Sequence, residues 1–223
     1  MGSSSAPSFC VWKKTVLIDM KQMQLLKNAL SFSAKEFYFV FFGYVLMFFL
    51  VQYVIYPVQE IIIPESTVFA ALLFLPHGVR VVSIWLLRER AIIPLFLASL
   101  VIYRSFYWHA EPFYLNYFLI LTGTFCAYIA ILFFDFGKID LSVQNLSISH
   151  WRSLILLGFV ASVFNAIGNS IILASSIDLE SQLRTLIHYL IGDTLGVVGF
   201  LVILLVLLRI GRVLNQVSNK SKT

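Results

Sequence analysis

Pro64-Glu65-Ser66-Thr67-Val68-Phe69-Ala70-Ala71-Leu72-Leu73-Phe74-Leu75-Pro76-His77-Gly78-Val79-Arg80 is an apolar run interrupted by a proline, a glycine and two basic side chains. Continued to residue 87 it has the length of a membrane crossing, with Pro76 and Gly78 near its middle. Proline removes a backbone donor and glycine loosens the chain, so a helix broken here is expected. The carbonyls freed by the break need protein or water partners, because lipid offers none. An arginine at the bilayer centre costs about 2.5–3.5 kcal/mol on the insertion scale, so Arg80 calls for an internal partner. The run therefore predicts a polar site inside a bundle of helices.

Composition supports that setting. Sixty per cent of the 223 residues are hydrophobic, 12% are charged and the mean hydropathy is +0.90. A soluble domain carries about twice as many charges. At about 20 residues per span the chain accommodates six helices and no sizeable soluble domain. The expected fold is all-α: a polytopic membrane bundle of six transmembrane helices, in three parts. Residues 1–35 form an N-terminal segment, 36–209 the membrane domain and 210–223 a basic tail.

Working outward, residues 37–58 form an aromatic-rich first span ended by Pro57, and residues 66–87 form the broken second span. Arg88-Glu89-Arg90 is a short turn into a third span at 91–107, with Pro94 in its first helical turn, where the missing donor costs little. The fourth span covers 113–134. The fifth, 151–174, carries Ser162, Asn165 and Asn169 along one face, and the sixth, 183–208, carries Gly192-Asp193-Thr194-Leu195-Gly196. In residues 11–32, Trp12, Val16, Met20, Met23, Leu26 and Leu30 recur at helical spacing with lysines mostly elsewhere, the pattern of an interfacial amphipathic helix.

Placing the N-terminus inside gathers Lys13, Lys14, Lys21, Lys27, Lys35, Arg88, Arg90, Lys138, Arg152 and the basic tail on the cytoplasmic face, leaving Arg104 and Arg184 outside. The positive-inside rule thus favours N-in, C-in. The second and sixth helices then run in the same direction, and His77 and Asp193 each fall roughly 15 Å deep. Asp193 is expected to meet Arg80 or His77, with Asn165 and Asn169 completing a ligand site between the second, fifth and sixth helices. Pro76 and Gly78 shape the break, and Gly192 with Gly196 has the small-xxx-small spacing of close helix packing.

Other chemistries are not favoured. The net charge of +5 resides in flanking segments rather than in a nucleic-acid-binding patch. The histidines and two cysteines form no metal-ligand pattern, and no nucleotide, cofactor or nucleophile motif occurs. No metal, cofactor or enzymatic activity is expected.

Leu75-Pro76-His77-Gly78-Val79-Arg80 with the following Pro94 helix, and Gly192-Asp193-Thr194-Leu195-Gly196, resemble two elements of the membrane-associated sensor (MASE) family of the first type. These are integral-membrane input domains of bacterial diguanylate cyclases and histidine kinases. Leu75 stands where that family usually has a second proline, the proline often seen after the Gly-Asp element is absent, and members generally have about eight helices and a fused output domain. The resemblance implies a sensor-like, non-catalytic module of the bacterial inner membrane signalling through a separate kinase or cyclase. The site residues themselves point to a small polar or anionic ligand, or a lipid or quinone headgroup, with Arg80 and His77 holding anionic groups, Asp193 positioning them or binding a cation or proton, and Asn165 and Asn169 supplying neutral hydrogen bonds. Two alternatives share the composition. One is the substrate-binding component of an energy-coupling-factor transporter, docking on an ATPase module; the other is an assembly subunit of a larger membrane complex.

Overall fold

Ser33 and Glu36 begin the first long helix with reciprocal caps. The Ser33 backbone N–H donates to Glu36 Oε2 at 2.7 Å, and the Lys35 N–H donates to Ser33 Oγ at 3.3 Å. In the computed structural model, which describes residues 23–62, 71–107, 113–141, 150–174 and 179–220, this helix (α1) runs Ala34–Ile62. Pro57 does not end it. A π-helical turn at Val51–Ile55 widens the backbone ahead of the proline, and the chain continues helically through it. Residues 23–30 are also helical. The amphipathic stretch at 11–22 and the residues 64–70 lie outside the described residues.

Five further helices follow: α2 Leu75–Leu87, α3 Ile92–Phe106, α4 Phe113–Phe136, α5 His150–Leu173 and α6 Leu179–Lys220. The described residues contain no strand. Four helices, α1, α4, α5 and α6, are long and apolar enough to cross a membrane. Exposed Phe39, Phe42, Phe118, Phe133, Ile171 and Leu205 give these helices the apolar outer surface of a bundle in lipid. At 42 residues, α6 is about 63 Å long, and most of the expected basic tail is its continuation.

The expected break at Pro76 is replaced by a start. Residues 71–74 are non-helical, and α2 begins at Leu75 with Pro76 in its first turn, where an N–H would have had no intrahelical partner. From there α2 is unbroken through Gly78 to Leu87. It is short, 13 residues, yet every residue from Leu75 to Trp85 is buried, so it forms the hub around which the other helices pack. Arg88 ends it with a left-handed backbone (φ 53°), followed by a 3₁₀ turn, Arg88–Ala91. That turn is tied to the neighbouring helices by Arg88–Asp135 at 2.8 Å and Arg90–Glu36 at 3.3 Å. Trp85 Nε1 donates to Leu141 O at 2.7 Å, fixing the C-terminal part of α2 to the chain leaving α4.

Candidate functional site

The bent, non-helical segment 71–74 is the element that positions the site. Its backbone lies on a glycine face of α6. A Cβ at Gly192 would collide with Ala71 O and one at Gly196 with Phe74 O, while the Phe74 N–H donates to Gly192 O at 2.9 Å. Gln59 Oε1 accepts from the Leu72 N–H at 2.8 Å. Non-helical backbone at membrane depth is stable when protein covers it and partners its polar groups. Gly192 and Gly196 therefore seat a non-helical segment, beyond the helix-on-helix contact expected from their spacing. Gly78 adds a close α2–α6 approach, since a Cβ there would strike Phe200 and lie 3.0 Å from Gly196 O.

With α2 anchored so, His77 and Arg80 enter the interior one turn apart, 0% and 7% exposed. Asp193, next to Gly192, is 1% exposed and accepts from Asn165 Nδ2 at 2.6 Å. His77 Nδ1 lies 3.5 Å from the same carboxylate oxygen, and its Nε2 lies 3.3 Å from Gly158 O. Asn169 Nδ2 extends the chain to Asn165 Oδ1 at 3.4 Å. The third polar residue of the fifth-helix face, Ser162, instead bridges to Thr194 at 3.1 Å and stitches α5 to α6.

Arg80 does not pair with Asp193 as expected. Its Nη2 donates to the Tyr44 hydroxyl at 2.6 Å, and its guanidinium lies 5.2 Å from the Tyr44 ring centre and 5.6 Å from that of Phe74. Gly123 of α4 permits this placement: a Cβ there would be 2.9 Å from Arg80 Nη2. The physical reason for the separation is local. His77 and Asn165 already occupy the carboxylate, and the aromatic pair offers the guanidinium both an acceptor and π-faces.

Arg80 and Asp193 nevertheless border one cavity of about 360 Å³, together with Asn165 and Asn169. It extends beyond the α2, α5 and α6 walls expected from the sequence, reaching Tyr44 of α1, Ser99 and Tyr103 of α3, and Gly123 of α4. Arg80 Nε, Ser99 Oγ, Tyr103 Oη and Asn169 Oδ1 are buried without a hydrogen-bond partner among the described residues. Each such group costs about 1–3 kcal/mol when left unsatisfied, so their convergence on one space marks it as a place for a polar guest.

Tyr44, Ser99, Tyr103 and Gly123 escaped the sequence reading. The only available signal was the i, i+4 pairing of Ser99 with Tyr103 inside an apolar span, and ten tyrosines in the chain dilute it. Among the described residues, no group of three His, Cys, Asp or Glu side chains is arranged to hold a metal. No protein-family model, curated protein or solved structure matches the chain.

Proposed function

We propose that the chain is a non-catalytic, ligand-binding membrane module that passes the occupancy of its central cavity to a separate partner, as the sensor resemblance implies. The observation that carries this reading is the set of unpartnered polar atoms of Arg80, Ser99, Tyr103 and Asn169 around a single cavity. A site built only for packing would satisfy these groups with one another. Occupancy acts on the junction between segment 71–74 and α2, where Phe74 flanks the guanidinium of Arg80 and is held by Gly192. The rigid α2 carries the shift to the Arg88–Ala91 turn, where partners of kinase, cyclase or transporter type would read it.

The finer topology belongs to the same proposal: six crossings in the bacterial inner membrane, both termini cytoplasmic. Helix α2 reaches about 20 Å and is lengthened by the non-helical segment 71–74, and α3 with its 3₁₀ turn reaches about 30 Å, comparable with the hydrocarbon core. The Arg90–Glu36 and Arg88–Asp135 pairs bring the basic turn to the same end of the bundle as the start of α1, in keeping with the positive-inside count.

The test is native mass spectrometry of the protein extracted in lipid nanodiscs, combined with identification of copurifying proteins. A retained small molecule, and a kinase or cyclase whose activity responds in the wild type but not in Asp193→Asn, is the expected result. Unaltered signalling in that variant would argue against the site. Copurification of ATPases would turn the same cavity to substrate capture for transport.

A further inference from the structure

The charge carried by the cavity's ligand follows from the donors that face it, given the ligand-binding reading above. A carbonyl oxygen only accepts, so His77 Nε2, facing Gly158 O at 3.3 Å, is the protonated ring nitrogen. The other nitrogen, Nδ1, faces Asp193 Oδ2 at 3.5 Å. Asn165 Nδ2 donates to the same oxygen at 2.6 Å, so the carboxylate is engaged on the α5 side of the cavity.

Arg80 is buried on the opposite side and does not reach that carboxylate. Its partners are the neutral Tyr44 hydroxyl and two aromatic rings, and among the described residues no carboxylate forms an ion pair with it. Its Nε is unpartnered, as are the Ser99 and Tyr103 hydroxyls one turn apart on α3, and all three residues border the cavity. Charges inside a membrane are almost always paired.

We propose that the partner these donors lack is the ligand: a monoanion of the carboxylate class. Its oxygens take hydrogen bonds from Arg80 and from the Ser99 and Tyr103 hydroxyls, and its apolar body lies against Phe48, Ile102, Leu119 and Ile120. Among the described residues Arg80 is the one basic residue of the lining, which matches a single negative charge; a phosphate group carrying up to two calls for a second cation. A volume of about 360 Å³ suits a small amphiphile rather than a whole phospholipid.

The probes are octanoate and phenylacetate, each against its neutral amide, octanamide and phenylacetamide. Binding is measured by calorimetry and by thermal shift on the full chain in nanodiscs of zwitterionic lipid. The acids bind at least tenfold more tightly than the amides. Tyr103→Phe, which removes only a hydroxyl, weakens acid binding by about tenfold, as expected for one hydrogen bond to a charged group. Arg80→Gln abolishes the preference for acid over amide; if that variant does not fold, Tyr103→Phe carries the test. Equal binding of acids and amides overturns the anion assignment and leaves the ligand-binding reading standing. Binding of inorganic phosphate in preference to the acids overturns the carboxylate class. Binding of neither acids nor amides overturns the inference, and retention of a native ligand still judges the cavity separately.

Discussion

Gly196→Ala isolates the contact on which the site depends. One added methyl group would collide with the Phe74 carbonyl, which belongs to backbone and cannot swing aside as a side-chain tip would. Overpacking of this kind costs about 1–3 kcal/mol. Moving Phe74 also breaks its N–H bond to Gly192 O, at 2.9 Å, and an orphaned interior donor adds about 1–3 kcal/mol. Alanine returns about 1 kcal/mol through its better helix propensity. The net loss is about 3 kcal/mol at the centre of these ranges, equivalent to a fall of about 6–12 °C in the unfolding midpoint of a protein this size. Gly211→Ala on the same helix is the control: a Cβ there meets nothing within 4 Å, and propensity alone makes it neutral or stabilising by up to about 1 kcal/mol. Both variants are measured by thermal denaturation in the same nanodiscs. If Gly196→Ala tracks Gly211→Ala, segment 71–74 is not seated on α6 and the account of how the cavity forms is wrong.

Three other outcomes follow from the same geometry. Gly123→Ala meets only the movable end of Arg80, so it should change the unfolding midpoint little but displace the guanidinium and reduce ligand retention, read by native mass spectrometry. Asp193→Ala leaves Asn165 Nδ2 and the His77 pairing without an acceptor and should destabilise by about 3–5 kcal/mol, whereas Asp193→Asn, which keeps a polar group facing both, should cost markedly less in the same unfolding assay. Trp85→Phe deletes the buried bond to Leu141 O while keeping most of the ring volume, and a loss of about 1–3 kcal/mol is expected in chemical denaturation.

Much of the site was legible in the chain because buried charge is rare in membrane helices and has to be accommodated. His77, Arg80, Asn165, Asn169 and Asp193 were picked out as polar residues inside apolar runs, and the structure gathers them around one interior region, with His77 against Asp193. Their pairings were less legible. Spacing along a helix sets the face and depth of a side chain, but whether Arg80 turns to Asp193 or to Tyr44 depends on the space Gly123 leaves and on which acceptors His77 and Asn165 already occupy.

What the sequence determined by itself is a bundle of apolar helices with an interrupted stretch before Arg80, since hydropathy, proline and glycine act over neighbouring residues. It did not determine that Pro76 opens a helix instead of breaking one, or that Gly192 and Gly196 carry a non-helical segment. Those outcomes depend on surfaces more than a hundred residues apart along the chain, where a missing Cβ on α6 lets backbone approach backbone close enough for Phe74 to bond Gly192. Tertiary packing decided them because the missing side chains matter only once the other surface arrives.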